Sequence, residues 1–541
     1  MADFPIVGIG SSAGGLKALE RLFGAMPPDS GLGFVVVAHL DPTQESHLSE
    51  LLRRDTEMPV ADVRGEIAVQ PNHVYVIAPD QYLRLNGDVL HPSKPSEPRG
   101  HRHPVDTLFR SLAESSGKRA IGIVLSGTGT DGADGLRAIK AEGGITLAQD
   151  PGTADFAGMP QSAITTGAAD LVLAPEKMAA ALLDLTSHPY LRRDVDLGKP
   201  PEIDGQLTAL LALVRAGTRQ DFRCYKRTTL LRRIHRRMGL KQVMGLDDYI
   251  ERLRNDPDEL AALARDLTII VSGFFRDPEA WKVLDQKVIA PLIEERPADA
   301  AIRVWVPACA TGEEAYSIAM LVVERAEAAQ KSFDLKIFAT DVSEHLLPAA
   351  RAGLYPASIA QNVSKERLER FFDREDDSYR VKGALRDAIT WAPQNLMQDP
   401  PFSRLDVVSC RNLLIYLEPE IQKKLLGLFH FALREGGHLF LGSAETAAAQ
   451  ANLFQPISKK WRIYLRLGPT RHDVTEFPIL RPSDDPNAAA SAPAAPHAEP
   501  RARASTLLEH ALLEQYAPAA VLIDRRFNVS EFHGPTGDYL Q

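Results

Sequence analysis

AIRVWVPACATGEEAYSIAMLVVE, residues 301 to 324, is the stretch from which the fold is read. Ile302-Arg303-Val304-Trp305-Val306 has the composition of a buried strand, Ala308-Cys309-Ala310-Thr311-Gly312 is a turn of small residues, and Glu313-Glu314 is the acidic first turn of a helix. Strand, tight turn and helix start bring backbone N–H groups against a ligand in doubly wound sheets. Two carboxylates at the helix start repel phosphate, so the matching ligand carries an amino group or a sulfonium. The plainer reading, in which Glu313 and Glu314 only complement the helix dipole, stands beside it.

The neighbouring sequence repeats the pattern. Leu335 to Asp341 reads as the next strand, and an acid at the end of a second strand is placed to hold the ribose hydroxyls of an adenosine. Asp406 to Asn412 and Glu435 to Leu441 read as later strands of the same sheet. Upstream, Leu197 to Gly205 reads as a linker, followed by helical patterns without strands. Arg223 to Lys241 contains no acidic residue, and Arg232, Arg233, Arg236 and Arg237 fall on adjacent helical turns. Such a face is usually solvated or paired with acids elsewhere. Its functional reading is a surface for an acidic partner, and the absence of interleaved aromatics argues against nucleic acid.

Residues 1 to 190 form another alternation of short apolar strands and helices: Ile6 to Ile9, Phe34 to Ala38, Val74 to Ala78, Ile121 to Leu125 and Ile145 to Ala148. This rhythm predicts a second parallel, doubly wound sheet, with chemistry at the strand carboxyl ends. Ser12, His39 and Asp131 each follow such an end. A serine needs a base to become a nucleophile, and the base needs an orienting carboxylate. Gly8-x-Gly10-x-x-Ala13 also fits a loose dinucleotide pattern, but the end of the second strand carries His39 rather than an acid. A third reading makes Ser12 a helix cap and His39 a surface histidine.

The whole chain sets limits. With 541 residues it exceeds one core, and 44% hydrophobic with 25% charged residues is a globular composition. No apolar run approaches the ~18 residues of a bilayer span, and no basic-then-apolar pattern stands at the N-terminus. Cys224, Cys309 and Cys410 are too few and too scattered for a disulfide framework or a zinc site, so no metal is expected. Together these features point to the cytoplasm. A net charge of −9 argues against a polyanion-binding protein.

GIGSSAGGLKAL, VVVAHLDP, RHPVDTLFRSLA, VLSGTGTDGADGLRAIK and DFAGMPQSAI, in that order, resemble the catalytic domain of chemotaxis protein-glutamate methylesterases of the CheB type, over residues 4 to 183. The resemblance assigns the nucleophile to Ser12, the base to His39 and the orienting aspartate to Asp131. The family usually carries a phosphorylated receiver domain ahead of this unit. About five residues stand there, so control is expected to come from elsewhere.

DFRCYKRTTLLRRIHRRM, FFRDPEAW, VWVPACATGEEAYSIAML, IFATDVSEHLL, ITWAPQNL, VVSCRNLLIYL and GGHLFLGSAET resemble chemotaxis protein-glutamate O-methyltransferases of the CheR type, over residues 206 to 466. This resemblance implies S-adenosylmethionine as cofactor, with contacts at Ser272, Arg276, Ala308, Glu314, Asp341, Asn395, Leu396, Arg411 and Asn412. It puts Arg276 and Tyr416 at the methyl-transfer site. Ala308 stands where many relatives have glycine, which predicts some crowding of the cofactor.

The implied architecture is multidomain α/β. A methylesterase domain spans 1–190 and a linker 191–205. An all-α domain spans 206–280, and a Rossmann-like methyltransferase domain with a small antiparallel insert spans 281–467. An Ala/Pro-rich disordered linker follows at 468–503. QYAPAAVLIDRRFNVSEFHGPTGDYL resembles the opening of a PAS sensor domain, giving an incomplete module at 504–541 that is expected to continue beyond Gln541. The expected substrates and partners are methyl-accepting chemoreceptors or related acidic helical signalling proteins, methylated on glutamate, demethylated, and deamidated at glutamine. Membrane insertion and nucleic-acid binding are not expected. The alternative is a signalling scaffold in which one or both catalytic domains only bind partners.

Overall fold

The computed structural model describes residues 4–39, 47–95, 102–191, 200–218, 220–268, 272–375, 378–469, 520–523 and 529–533. The chain forms two units, Met1–Ile479 and Leu480–Gln541. Among the described residues no helix is long and apolar enough to cross a membrane.

The first sheet comprises β1 (Ile6–Ser11), β2 (Gly33–Ala38), β3 (Val60–Val63), β4 (His73–Ile77), β5 (Ala120–Val124), β6 (Ile145–Gln149) and β7 (Leu171–Leu173). All pairings are parallel, and the spatial order is β7-β6-β5-β1-β2-β4-β3. Alternating side chains serve two cores, as a pleated strand requires. Val7, Ile9, Phe34 and Val36 pack with Leu19 and Leu22 of α1 (Gly15–Gly24) on one face. Ile6, Val35 and Val37 pack with Val105, Leu108 and Phe109 of α2 (Pro104–Ser116) on the other. The order reverses around β1, so the ends of β5, β1 and β2 flank the crevice where such sheets place ligands. A further helix, α3 (Ala133–Ala141), follows β5.

The helical subdomain has its own core, built from Leu210, Val214, Leu230, Ile234, Tyr249 and Leu263 among others. It includes α4 (Arg227–Leu240) and α5 (Pro257–Leu267). Two expected boundaries move. The helix Pro200–Thr218 begins inside the expected 191–205 linker, since proline is well suited to a first helical turn. Phe274, Phe275 and Ala280, expected in the all-α domain, belong to the core of the following sheet, where Phe275 meets Trp281 edge-on.

The second sheet contains β8 (Ala301–Pro307), β9 (Asp334–Asp341), β10 (Ile389–Pro393), β11 (Leu405–Cys410), β12 (Leu433–Leu441), β13 (Phe454–Ser458) and β14 (Ile463–Arg466), in the order β10-β9-β8-β11-β12-β14-β13. The first five are parallel neighbours, and β14 and β13 add an antiparallel edge. α6 (Glu313–Ala328) follows β8 as the opening stretch predicts. Between β9 and β10 stand three short antiparallel strands, Leu354–Pro356, Phe372–Glu375 and Ser378–Val381, the expected insert. In the second unit, Ala520–Ile523 pairs antiparallel with Val529–His533. The expected Ala/Pro-rich linker lies outside the described residues beyond Pro469.

Candidate functional site

At the first sheet's crevice, Ser11 pairs with Ala38, so the register sets Ser12 beside His39 at the ends of β1 and β2. The His39 Nε2 lies 2.8 Å from Asp131 Oδ2. No hydrogen bond joins Ser12 Oγ to His39 among the described residues; such bonds are often long in ligand-free sites and tighten on substrate. Asp131 is buried against the start of α2, where the N–H groups of Val105 (3.0 Å) and Asp106 (2.9 Å) donate to its two oxygens. These two donors fix the orientation of the carboxylate at the helix start. His103 Nδ1 stands 3.8 Å from the same carboxylate, and burial, against the pull of Asp131, holds its imidazole below the usual histidine range.

Two features of this site escape the sequence reading. Gly8 and Gly10 are needed for packing rather than for ligand approach: a Cβ on Gly10 would meet Val105 at 2.2 Å, so glycine lets α2 settle on β1. Asp106 is fully buried, and its Oδ1 accepts from Gly132 N (3.0 Å) and Gly135 N (2.7 Å), on either side of the turn into α3. Its only signal in the sequence is an acid at a helix start.

The second sheet carries an open cleft at the ends of β8, β9 and β11. Every residue expected to contact the cofactor lines it: Ser272, Arg276, Ala308, Glu314 and Asp341 from the first half, and Asn395, Leu396, Arg411 and Asn412 from the second. Tyr416 lines it as well. Asp341 is held by Ala310 N on one oxygen and Ser343 N on the other, each at 2.8 Å. Burial raises its carboxyl, and these donors oppose the shift. Ala308 has φ 54°, a left-handed conformation that costs a non-glycine residue about 1–2 kcal/mol. Glu313 accepts from Ser272 Oγ and Thr311 Oγ1, both at 2.7 Å, and so ties Ser272 to the helix start. Glu314 accepts from Ser409 Oγ at 2.5 Å. Burial pushes Glu314 up to about 7, with Arg411 opposing. Arg411 bridges Arg276 O (3.0 Å) and Asp277 Oδ2 (2.7 Å), with its guanidinium over the Phe440 ring. Glu445, which the sequence reading does not single out, receives the N–H groups of Asn412 (3.0 Å) and Gly442 (2.6 Å) and shapes this wall.

The cleft fits S-adenosylmethionine. An acid ends the second strand, acidic groups at the helix start suit a cationic ligand, and the buried atoms Arg411 Nε and Gln394 Oε1 have no hydrogen-bond partner among the described residues.

The basic helix face is a correction. Arg232, Arg233, Arg236 and Arg237 are expected to face solvent and an acidic partner, but Arg233, Arg236 and Arg237 are buried and Arg232 is half-buried. Arg236 donates to Gly144 O (2.9 Å) and Asp266 Oδ2 (2.7 Å) and also pairs with Asp170. Arg233 donates to the last carbonyls of α3, Lys140 O (2.8 Å) and Ala141 O (2.6 Å). Arg237 pairs with Glu259, which also accepts from Tyr249 Oη at 2.7 Å. The guanidinium fork satisfies several carbonyls and carboxylates at once, which makes burial of such a face possible. Its acceptors come from the first sheet's domain and from α5, so the face joins domains within the chain.

Residues 205–268 match the CheR methyltransferase all-alpha domain, and residues 271–463 match the CheR methyltransferase SAM-binding domain. Chemotaxis protein methyltransferase 1 of Pseudomonas aeruginosa is 32% identical over 39% of this chain and 80% of its own length. The chain belongs to the CheR methyltransferase family. It also carries a CheB methylesterase domain, matched at residues 7–182. Protein-glutamate methylesterase/protein-glutamine glutaminase 2 of Pseudomonas aeruginosa is 37% identical over 33% of this chain and 52% of its own length. An uncharacterized 104.1 kDa protein of Rhodobacter capsulatus is 39% identical over 79% of this chain, which spans 47% of that protein. The CheR-type domain accounts for the second cleft as a site for S-adenosylmethionine.

Proposed function

We propose that this chain both adds methyl groups to glutamate side chains of chemoreceptors, or of related acidic helical signalling proteins, and removes them. The observation that carries this reading is convergence: residues dispersed from Ser272 to Tyr416 line one cleft. In the transferase half, S-adenosylmethionine supplies an electrophilic methyl group. A glutamate side chain with a reference pKa near 4.3 is ionised at neutral pH and needs no general base. The task is alignment, which Arg276 and the Tyr416 hydroxyl serve as donors to the incoming carboxylate. In the esterase half, Ser12 attacks the methyl ester carbonyl, His39 takes the serine proton and gives it to the departing methanol, and Asp131 holds the imidazole. Water then frees the glutamate. A glutamine amide entering the same site would leave as ammonia. The antiparallel pairing of Ala520–Ile523 with Val529–His533 supports reading the C-terminal segment as the opening of a PAS sensor, with control from that side, and the three free cysteines support a cytoplasmic location.

The test is incubation of the chain with labelled S-adenosylmethionine and receptor fragments, scoring base-labile methyl groups, and then following methanol release from the methylated product. A chain that binds both substrates and turns over neither is a scaffold instead.

Two predictions concern the cofactor cleft. Asp341→Ala should weaken S-adenosylmethionine binding by about 1–3 kcal/mol, the scale of lost charged hydrogen bonds; unchanged affinity by calorimetry would move the ribose contact elsewhere. Glu314 gives a pH dependence. Its pKa is raised from 4.5 to about 7, so near neutrality it is half protonated. A cationic ligand favours the ionised form. Binding should therefore release protons, and affinity should rise by up to about tenfold from about pH 6 to about pH 8. For the free protein the sign is opposite: a raised carboxyl pKa loses stability as pH climbs from 4.5 through about 7. Binding enthalpies that do not vary with the buffer's own ionisation enthalpy would exclude the proton release.

A further inference from the structure

The triad aspartate rests on a second carboxyl, and that carboxyl is held from the other catalytic half of the chain. Asp106 is bound to Asp131 in two ways. Its N–H donates to Asp131 Oδ1 (2.9 Å), and its own Oδ1 accepts from Gly132 and Gly135, which follow Asp131 closely in the chain. The remaining oxygen, Oδ2, accepts from the side-chain amide of Gln361 at 3.3 Å. Gln361 belongs to the methyltransferase domain, at the end of the 3₁₀ turn Ala357–Gln361 that follows the first strand of the antiparallel insert. Its amide oxygen accepts in turn from Arg110 Nη1 (3.3 Å) and Nη2 (3.2 Å), one turn beyond Asp106 on α2. Ser358 lies three residues before Gln361, on the same side of the turn, and its hydroxyl hydrogen-bonds Asp134 on α3. Two polar side chains of the insert thus meet the two helices that frame Asp131.

We infer that Gln361 is a positioning residue for the esterase triad, acting across the domain boundary by fixing the Asp106 carboxyl that sets the Asp131 turn. This rests on the esterase reading of Ser12, His39 and Asp131. The amide of Gln361 bridges a guanidinium and a buried carboxyl, with its oxygen toward the first and its N–H toward the second. An apolar side chain of the same length would leave a wholly buried carboxyl oxygen without its donor. The carboxyl would then turn or take in water, and its grip on Gly132 and Gly135 would loosen. Asp131 would keep its two helix N–H donors but lose the fixed turn that aims it at His39. A displacement of well under 1 Å in an orienting group affects turnover rather than substrate binding. The consequence for the whole chain is that esterase turnover depends on the methyltransferase domain being docked, which gives two opposed activities a shared structural element in α2 and α3.

The experiment uses the full chain and a synthetic acidic helical peptide carrying a glutamate γ-methyl ester, with methanol release as the readout. The same peptide with free glutamate serves to measure methyl transfer. Gln361→Met preserves length and volume, and Gln361→Leu provides a second apolar replacement. For both, kcat of methanol release is expected to fall about tenfold with KM within about twofold, while methyl transfer stays at the wild-type rate. Methyl transfer reports folding in the same molecule. Wild-type esterase kcat in both variants would overturn the inference, and so would an equal loss of both activities, which would mean general destabilisation. A wild-type chain that transfers methyl groups but releases no methanol would overturn the esterase reading itself, and this inference with it.

Discussion

Ser12→Ala is expected to abolish methanol release from methylated receptor and to leave methyl transfer intact. The alanine removes the only group in the triad able to form the acyl intermediate. Loss of a triad nucleophile commonly costs a factor of about 10³ or more in turnover, the remainder coming from binding and oxyanion stabilisation. The His39–Asp131 pair, at 2.8 Å, does not depend on the serine, so the rest of the site should stay in place. Ser12 directly follows β1 of the first sheet, whereas the transferase cleft is built on the second, so the second activity should be indifferent to the change. Methanol release by the variant at the wild-type rate would remove Ser12 from its role.

Arg236→Met should produce the largest loss of stability. Arg236 and Asp170 have fully buried side chains, and Asp266 is nearly so. Methionine matches the aliphatic stem but takes the guanidinium away from two buried carboxylates, leaving Lys140 as the cation near both. Removing one partner of a buried ionic network typically costs about 3–5 kcal/mol. The acid limb carries a second signature. Burial alone would raise Asp170, but Arg236 and Lys140 outweigh it and leave it at about 2. A carboxyl depressed from its ordinary value near 3.9 contributes stability that is present above that pH and is lost as the pH falls toward about 2. Urea unfolding of the full chain at neutral and acidic pH measures both effects. The variant should be less stable at neutral pH, and its loss on acidification should be shallower. A wild-type unfolding midpoint in the variant would mean that the arginine network adds nothing to domain docking.

The two folds and most of the positions flanking their clefts are legible from the sequence because their signals are local. The buried runs Phe34 to Ala38 and Ile302 to Val306 announce parallel strands by composition, and polar residues just beyond strand ends mark the places where doubly wound sheets bind ligands. His39, Asp131 and Asp341 all sit at or just past such ends, which is what singles them out. The remaining cofactor-cleft residues come from a match to a known pattern, and the structure brings them to one cleft.

What only the tertiary structure decided concerns groups whose state depends on distant parts of the chain. An arginine face on a helix looks the same in sequence whether water or a folded domain covers it. Here Asp170 lies 66 positions before Arg236, and Gly144 lies 92 before it, so nothing within the helix announces their burial. Gly8 and Gly10 fit a dinucleotide pattern in the sequence, and only the tertiary structure shows α2 packed on them. Gln361 carries no signal at all, because an amide becomes a positioning group only when a buried carboxyl and a guanidinium from 255 and 251 residues away meet it. Local pattern determines which elements form and where their ends point. Desolvation and hydrogen-bond satisfaction between elements decide which polar side chains remain free for a partner, and those depend on packing.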